Sequence, residues 1–211
     1  MSLHEYRDQR YPGLIFDAEI KDPRLRQTAD NIAGTYMTSL QDAEVANRLG
    51  FLSQHYRLQT QVVSAREFRM LDPDINVILL GHNKGNPWME LFDERMNFHY
   101  VFDYDAHLGR IENRAPRAGE EKSYVVDFGK QGYCVLAYRP NPVGHGATVV
   151  AFGTDLSSLG AAGSVLSSEK LMSELLAHVG HGTGQIPYFE ALMRTQLVWT
   201  LNPKIEFLAF R

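Results

Sequence analysis

The sequence predicts an α/β fold of Rossmann-like type, a three-layer domain with a mainly parallel sheet and an antiparallel β-hairpin insert. Three observations support this prediction. Apolar runs end in glycine just before helix-start residues, strand-like and helical segments alternate up to residue 96, and strand-like runs without helices follow over 98–139. Strand–helix alternation is typical of parallel sheets, whereas short strands in direct succession form antiparallel hairpins.

Composition limits the size and class of the protein. The 211 residues, 44% of them hydrophobic, are enough for one large core, and we expect a single α/β domain over 32–211 with a β insert over 98–139. Residues 1–31 are interpreted as an N-terminal extension, of which 1–3 resemble an expression scar. The lone cysteine, Cys134, excludes an internal disulfide and is expected to be a buried thiol.

Charge and hydropathy narrow the range of partners. A net charge of −4 and a pI near 6.1 give no concentrated basic surface, so no direct nucleic-acid contact is expected. No apolar run reaches the roughly 18 residues of a membrane span, and no signal peptide opens the chain. We therefore expect a soluble, cytoplasmic protein without membrane contact.

The first elements follow from capping and periodicity. A short helix is expected after Asp22, followed by a short strand over Ala33–Thr38. Ser39 and Asp42 have the spacing of a capping box and start the next helix. Its apolar stripe consists of Val45, Leu49, Leu52 and Tyr56. Gln59–Ser64 is a candidate second strand.

The central stretch runs from Asn76 to Met96. A strand over Asn76–Leu80 stops at Gly81, and a helix begins after Asn86, a good N-cap, with Pro87 at its first position. Trp88, Phe92 and Met96 fall on one face of that helix, which is more typical of core than of a cofactor stack.

The second half of the chain begins with strands. Runs over 98–104, 108–113, 123–128 and 133–138 are expected to form antiparallel hairpins, and a strand over 147–152 ends at Gly153. Two helices follow, the second capped by Ser168 and stopped by Gly180. Residues 188–199 are helix or strand, and 204–210 form a closing strand.

Three loops between a predicted strand and a predicted helix share one pattern of glycine, amide and hydroxyl residues. If their strands are parallel, the loops converge at the carboxyl edge of the sheet, where α/β folds bind ligands. The alternative, that these residues are only helix caps and turns, stays open. The candidate ligand-binding residues are Ser39, Asp42, Gly81, His82, Asn83, Lys84, Gly85, Asn86, Gly153, Thr154 and Asp155.

The residue types in these loops suit a small anionic or polar ligand. Lys84 and the amides beyond Gly85 would hold an anion, while Asn83 and Asn86 would orient the rest of the molecule together with Thr154 and Asp155. Neither a P-loop nor a Gly-x-Gly-x-x-Gly fingerprint is present, so no cofactor is identified.

The sequence offers little support for other chemistries. No histidine has a carboxylate at metalloprotease spacing, so no metal site is expected. His82 or Asp155 as acid or base, and Ser39 or Thr154 as nucleophile, remain enzymatic alternatives without a recognisable catalytic order.

One resemblance rests on Asn76–Phe92, with its Asn86-Pro87-Trp88 element, on Asn113–Pro116 and on Gly153–Asp155. These motifs resemble a little-characterised group of bacterial α/β domains that look like appendages of winged-helix or other signalling proteins. The resemblance implies a sensor role and no known activity.

Three function hypotheses result. The leading one is a non-catalytic ligand-binding or sensor domain for an anionic or nucleotide-like molecule at the carboxyl edge of the sheet. The second is a hydrolase or transferase acting on a small polar metabolite. The third is a structural module that forms homo-oligomers through the aromatic residues of the β insert.

Overall fold

A computed structural model describes residues 20–34, 38–69, 74–83, 85–180, 184–196 and 204–211. The segment 1–3, interpreted as an expression scar, and Lys84 lie outside the described residues. The helices are α1 (Pro23–Gly34), α2 (Leu40–His55), α3 (Glu90–Asp93), α4 (Leu156–Ser167) and α5 (Glu169–Val179). The strands are β1 (Val77–Leu80), β2 (Phe98–Asp103), β3 (Leu108–Asn113), β4 (Ser123–Val125), β5 (Gln131–Pro140), β6 (Ala147–Gly153), β7 (Phe189–Gln196) and β8 (Ile205–Phe210).

The described strands form two sheets, a five-stranded sheet in the order β1-β6-β5-β7-β8 and a three-stranded sheet in the order β2-β3-β4. In the larger sheet β1 pairs with β6 in parallel, and the other neighbours are antiparallel. The predicted mainly parallel, Rossmann-like sheet is therefore wrong. The fold is mixed α/β, with mostly antiparallel pairing.

Two absent strands explain much of this error. The strand predicted over Ala33–Thr38 is wrong where the chain is described, because α1 continues to Gly34 and Thr38 is not in a strand. Residues 59–64 are also irregular and mostly exposed. After α2 the chain is held in a turn instead, where Leu58 N–H donates to Ser53 O at 2.8 Å and the Ser53 hydroxyl donates back to Leu58 O.

The position of β5 accounts for the rest of the difference between the predicted parallel sheet and the observed one. β6 and β7 point the same way, and α4 and α5 connect them as a parallel crossover would require. β5 lies between the two strands and is antiparallel to both. The helical crossover is thus present, but it spans an antiparallel strand that comes from the segment predicted as a β insert.

The predicted hairpins are confirmed for β2, β3 and β4, which pair antiparallel in chain order. The prediction is wrong for β5, which leaves this group and becomes the central strand of the large sheet. Both faces of β5 are covered, since Leu136 packs towards the helices and Val135 towards the small sheet. Buried on both faces, such a strand shows no alternation that would distinguish it from its neighbours.

The large sheet separates two apolar layers. On one side, α4 packs against β5 and β6, and α5 packs against α4 and β8. Leu159, Val165 and Leu175 belong to this layer. On the other side, the small sheet and the segment 87–96 cover the sheet with Trp88, Phe92 and Met96. These three side chains are 4%, 2% and 4% exposed, so their assignment to the core is confirmed.

Most aromatic residues of the small sheet face this core. Phe98, Tyr100 and Tyr124 are at most 7% exposed, whereas Tyr104 and Phe128 are more than 60% exposed. Among the described aromatic residues of the β insert, Tyr104 and Phe128 are thus the two rings that are largely exposed and available for the expected contact between copies of the chain. No described helix is both long and apolar enough to cross a membrane.

Helix α2 forms an outer layer on α4. A Cβ at Gly163 would overlap the Val45 side chain, and Arg48 Nη1 donates to Ser164 Oγ at 2.9 Å. Gln41 lies beside Gly160. Residue numbers rise together along the contact, so the two helices run parallel. The glycine in α4 is what allows the two helices to approach closely.

Candidate functional site

Two of the predicted loops leave the sheet side by side. Leu80 and Ala151 are paired at the carboxyl ends of β1 and β6, and Gly81 N–H donates to Ala151 O at 3.0 Å. The loop 81–86 and the junction Gly153–Asp155 therefore start at the same edge. We call these two segments the rim.

The third junction lies at the same end of the molecule but in the outer layer. Ser39 Oγ accepts from Asp42 N–H at 3.0 Å, and Asp42 Oδ2 accepts from Ser39 N–H at 3.4 Å, which completes the predicted capping box. Because α2 runs parallel to α4, its N-terminus lies against the first turns of α4. Ser39 and Asp42 thus serve α2 and are separated from the rim by α4.

Most polar atoms of the rim are used within the protein. Asn86 Oδ1 accepts from Trp88 N–H at 3.2 Å, and its Nδ2 donates to Leu80 O at 3.1 Å. Thr154 Oγ1 accepts from Tyr133 N–H at 3.0 Å, and Asp155 Oδ1 accepts from Ser158 N–H at 2.8 Å. These side chains are helix caps and strand-end anchors, as the alternative interpretation holds.

The rim is also closely packed from the side of the small sheet. A Cβ at Gly109 would overlap Thr154 O and would lie 2.9 Å from Tyr100 Oη, while a Cβ at Gly132 would overlap Ser158 Oγ. The rim therefore approaches β3 and β5 closely at these two glycines, where no larger side chain would fit. The helix after Asn86 is also short, a 3₁₀ turn over Pro87–Met89 followed by the four residues of α3.

His82 and Tyr100 form the aromatic part of the rim. Their rings are stacked, with centroids 4.1 Å apart and planes 6° apart. Burial raises the pKa of Tyr100, and the nearby Tyr104 and Asp155 raise it further. Two oxygens here are buried without a hydrogen-bond partner in the described structure, Asn83 Oδ1 and Asp155 Oδ2.

Cys134 is fully buried at the centre of the large sheet, as the sequence predicts. Burial raises the pKa of its thiol to about 12, with Asp155 adding to the effect. The thiol keeps its proton and is not a nucleophile. Within the described part of the chain, no group of three His, Cys, Asp or Glu side chains could hold a metal ion.

An open groove of about 430 Å³ lies on the small sheet instead, at the end where β3 leads into the following loop. Its lining consists of His99, Glu112, Asn113, Arg114, Pro116, Lys122 and Ser123. Arg114 and Lys122 are exposed, and they bring two positive charges to a cavity of small-molecule size.

The Arg114 side chain is held in place by two backbone carbonyl groups. Its Nη1 donates to Asp93 O and to Met96 O, at 2.6 and 3.1 Å. Its other guanidinium N–H groups make no hydrogen bond to the described residues. A guanidinium held in this way can receive an anion with less loss of side-chain entropy than a mobile one.

The wall of the groove is stiffened by Asn113, which is 5% exposed. Asn113 Oδ1 accepts from Asn97 Nδ2 at 2.8 Å, and Asn113 Nδ2 donates to Glu120 Oε2 at 2.9 Å. Glu120 in turn forms an ion pair with Arg211, which also donates to Asn113 Oδ1. This contact lowers the pKa of Glu120 to about 2.

A buried carboxylate, Glu190, supports the same region. Glu190 is 2% exposed and accepts from the backbone N–H groups of Asn97 and Phe98, at 2.8 and 3.0 Å. Arg139 Nη1 lies 3.6 Å from Glu190 Oε1. The start of β2 is therefore fixed to the large sheet through charge, and the groove sits on this fixed base.

A network of ion pairs lies on the outer face of β2 and β3, next to the groove. Arg110 contacts Asp103 Oδ2 at 3.2 Å and Glu112 Oε1 at 3.0 Å. Glu112 Oε2 lies 3.5 Å from His99 Nε2. The charge of Glu112 is thus paired with Arg110, which leaves Arg114 and Lys122 as the cations facing the groove.

Sequence reasoning did not select the groove residues as a site. Asn113 and Arg114 entered only through the resemblance, and His99 and Lys122 were not selected. The available signal was a cluster of polar residues, Asn113–Pro116, directly after a strand. Its proximity to His99 depends on the pairing of β2 with β3, in which His99 lies opposite Glu112.

Compared with known proteins, the chain matches no family model, and no curated protein and no solved structure is significantly similar to it.

Proposed function

We propose that the chain is a non-catalytic domain that binds a small anion in the groove beside Arg114, Lys122 and His99. The observation that carries the proposal is the combination of an open cavity of about 430 Å³ with two exposed cations. The proposal keeps the anionic ligand expected from the sequence and moves its site from the rim to the small sheet.

The distribution of charge supports an anion over a neutral molecule. Arg114 offers guanidinium N–H groups, and Lys122 can approach the same ligand from the start of β4. Glu112 is the one described carboxylate in the lining, and it forms an ion pair with Arg110. Charge-assisted hydrogen bonds of this kind are the stronger class.

The contacts of the candidate catalytic residues in the rim support a binding role over a catalytic one. His82 packs on Tyr100, and Asp155 caps α4. Tyr100 and Cys134 both have raised pKa values and keep their protons near neutral pH. The acid, base and nucleophile candidates of the enzymatic hypothesis thus have structural uses.

A sensor role in the cytoplasm completes the proposal. The resemblance to appendages of winged-helix and signalling proteins motivates the sensor role. The single, buried Cys134 is compatible with a reducing compartment. In such a role, anion binding would stabilise the small sheet and alter its exposed face.

Isothermal titration with sulfate, phosphate and acetate at constant ionic strength tests the proposal. Lys122→Met should weaken the binding of sulfate by about tenfold, the value of one lost charge-assisted contact of about 1.4 kcal/mol. Lys170→Met is the matched control, because Lys170 is an exposed lysine on α5, across the large sheet from the groove. Equal affinity in all three proteins, or no binding of any anion, would refute the proposal.

A further inference from the structure

His99 is the one described titratable side chain in the groove whose protonation can change near neutral pH. It lies on β2 opposite Glu112, with its side chain 17% exposed. Nε2 is 3.5 Å from Glu112 Oε2, whereas Nδ1 is buried without a hydrogen-bond partner in the described structure. Because His99 lines the groove and its side chain is partly exposed, an anion in the groove would lie beside the ring.

The charged groups around His99 come from three directions. Arg110 and Glu112 lie on β3, Arg114 follows β3, and Asp93 ends α3. Burial and Arg114 lower the pKa of His99, while Glu112 and Asp93 act in the opposite direction. Lys122 lines the same groove. Because burial and Arg114 outweigh the two carboxylates, the surroundings of His99 favour the neutral imidazole form.

An anion in the groove would reverse this balance. It would neutralise the field of Arg114 at the imidazole and would place a negative charge beside the ring, both of which favour the imidazolium form. We infer that His99 takes up a proton when an anion binds, so that the groove selects doubly charged anions, such as sulfate or a phosphate monoester, over singly charged ones. This inference rests on the proposed function and specifies its ligand class.

The size of the effect follows from linkage. Protonation of His99 increases the affinity for the anion by the same factor by which the bound anion increases the affinity of the ring for a proton, and a factor of about ten is expected for a close opposite charge. A dianion produces about twice the potential of a monoanion at the same place, so the pH dependence should be larger for the dianion. The affinity should rise as the pH falls.

Two probes of fixed charge separate this effect from titration of the ligand itself. Sulfate stays doubly charged and methanesulfonate stays singly charged between about pH 5.5 and about pH 8, the range in which histidine titrates. Calorimetric titration of the whole chain should show sulfate binding tighter at the lower pH, by up to about tenfold once the pH lies below the lowered pKa of His99 in the free chain. Methanesulfonate should show a smaller change.

Two variants test whether the proton taken up on anion binding goes to His99. His99→Gln should bind sulfate with the same affinity at both pH values, whereas His55→Gln, a change at an exposed histidine on α2, should behave as the wild type. NMR titration of the wild-type His99 ring adds a measurement that does not depend on a variant. Saturation with sulfate should raise the pKa of this ring.

The outcomes are distinguishable. Sulfate binding that is equal at both pH values, or a pH dependence that persists in His99→Gln, overturns the coupling and leaves the anion groove in place. An unchanged His99 titration at saturating sulfate also overturns the coupling. No binding of sulfate or methanesulfonate at either pH overturns the proposed function and the coupling together.

Discussion

The imidazole ring of His82 lies parallel to the phenol ring of Tyr100, with their centroids 4.1 Å apart. His82 follows β1 of the large sheet, and Tyr100 belongs to β2 of the small sheet. The stack therefore connects the two sheets directly at the rim. It also gives His82 a packing function that requires an aromatic ring rather than a proton carrier.

Replacement of His82 should affect stability through this stack. His82→Ala should lower the free energy of unfolding by about 0.5–1.5 kcal/mol, the usual value of an aromatic pair. His82→Phe keeps a ring on Tyr100 and should stay close to the wild type. Urea unfolding followed by circular dichroism measures both. A loss of the same size in His82→Phe would mean that the stack is not the stabilising contact.

The contact of α2 with α4 should be sensitive to one methyl group at Gly163. Gly163→Ala places a Cβ inside Val45, and this overpacking should cost about 1–3 kcal/mol. Gly160→Ala is the control, because the nearest atom to its Cβ is Gln41 Cγ at 3.8 Å. This control should stabilise the helix by up to about 1 kcal/mol. Equal thermal unfolding of the two variants would argue against close packing.

Glu190 should be among the most important charged residues for stability. Glu190→Ala removes the acceptor of two backbone N–H groups and leaves Arg139 without its carboxylate partner, which should cost about 3–5 kcal/mol. Glu206→Ala, which breaks the exposed pair with Arg194, should cost less than about 1 kcal/mol. Denaturant unfolding compares the two. Similar losses of unfolding free energy in the two variants would show that the buried contacts of Glu190 contribute no more to stability than an exposed ion pair.

Glu120 should make stability depend on pH in the acid range. Its pKa is about 2 in the folded chain, against an ordinary value of 4.5, mainly because of Arg211. In the window between these values the unfolded chain binds more protons, so stability rises with pH there, is complete above 4.5 and is lost as the pH falls towards 2. The slope from this group should approach about 1.4 kcal/mol per pH unit.

Glu120→Gln should remove this contribution to the acid transition. The test compares urea unfolding of wild type and variant across the window. A variant curve that keeps the full wild-type slope would assign the acid sensitivity to other carboxylates.

Asp155 should stabilise the start of α4 through only one of its two carboxylate oxygens. Asp155→Ala loses the cap on Ser158 N–H and should cost about 1 kcal/mol. Asp155→Ser keeps a capping oxygen and removes Oδ2, which is buried without a partner in the described structure. This variant should therefore be as stable as the wild type or more stable, as thermal unfolding would show. A loss equal to that of Asp155→Ala would point to a partner for Oδ2.

Elements with local signals were predictable from the sequence. The capping box of Ser39 and Asp42, the cap at Ser168 and the left-handed Gly180 after α5 are all present in the structure. Each depends on residues within a few positions of one another. Such contacts are specified before any tertiary packing is known.

Relationships between distant segments were not predictable in the same way. The insertion of β5 between β6 and β7 decides the sheet class, and a doubly covered strand does not show which partners it has. The ion pair of Glu120 with Arg211 likewise joins single charges far apart in the chain. The groove depends on the pairing of β2 with β3 and on the contacts of Asn113 with Glu120 and Arg211, which is why its residues were not recognised as a site.

The pairing of β1 with β6 has a consequence for the order of folding. Val77 meets Thr148, so the edge strand must wait for a segment made much later in synthesis. Non-local pairing of this kind is slow, because a long loop has to close before any contact compensates for its lost entropy. Trp88 and Phe92 belong to the core on the same side and are exposed during that interval. The nascent amino-terminal half is therefore the part of this chain that most needs protection from aggregation.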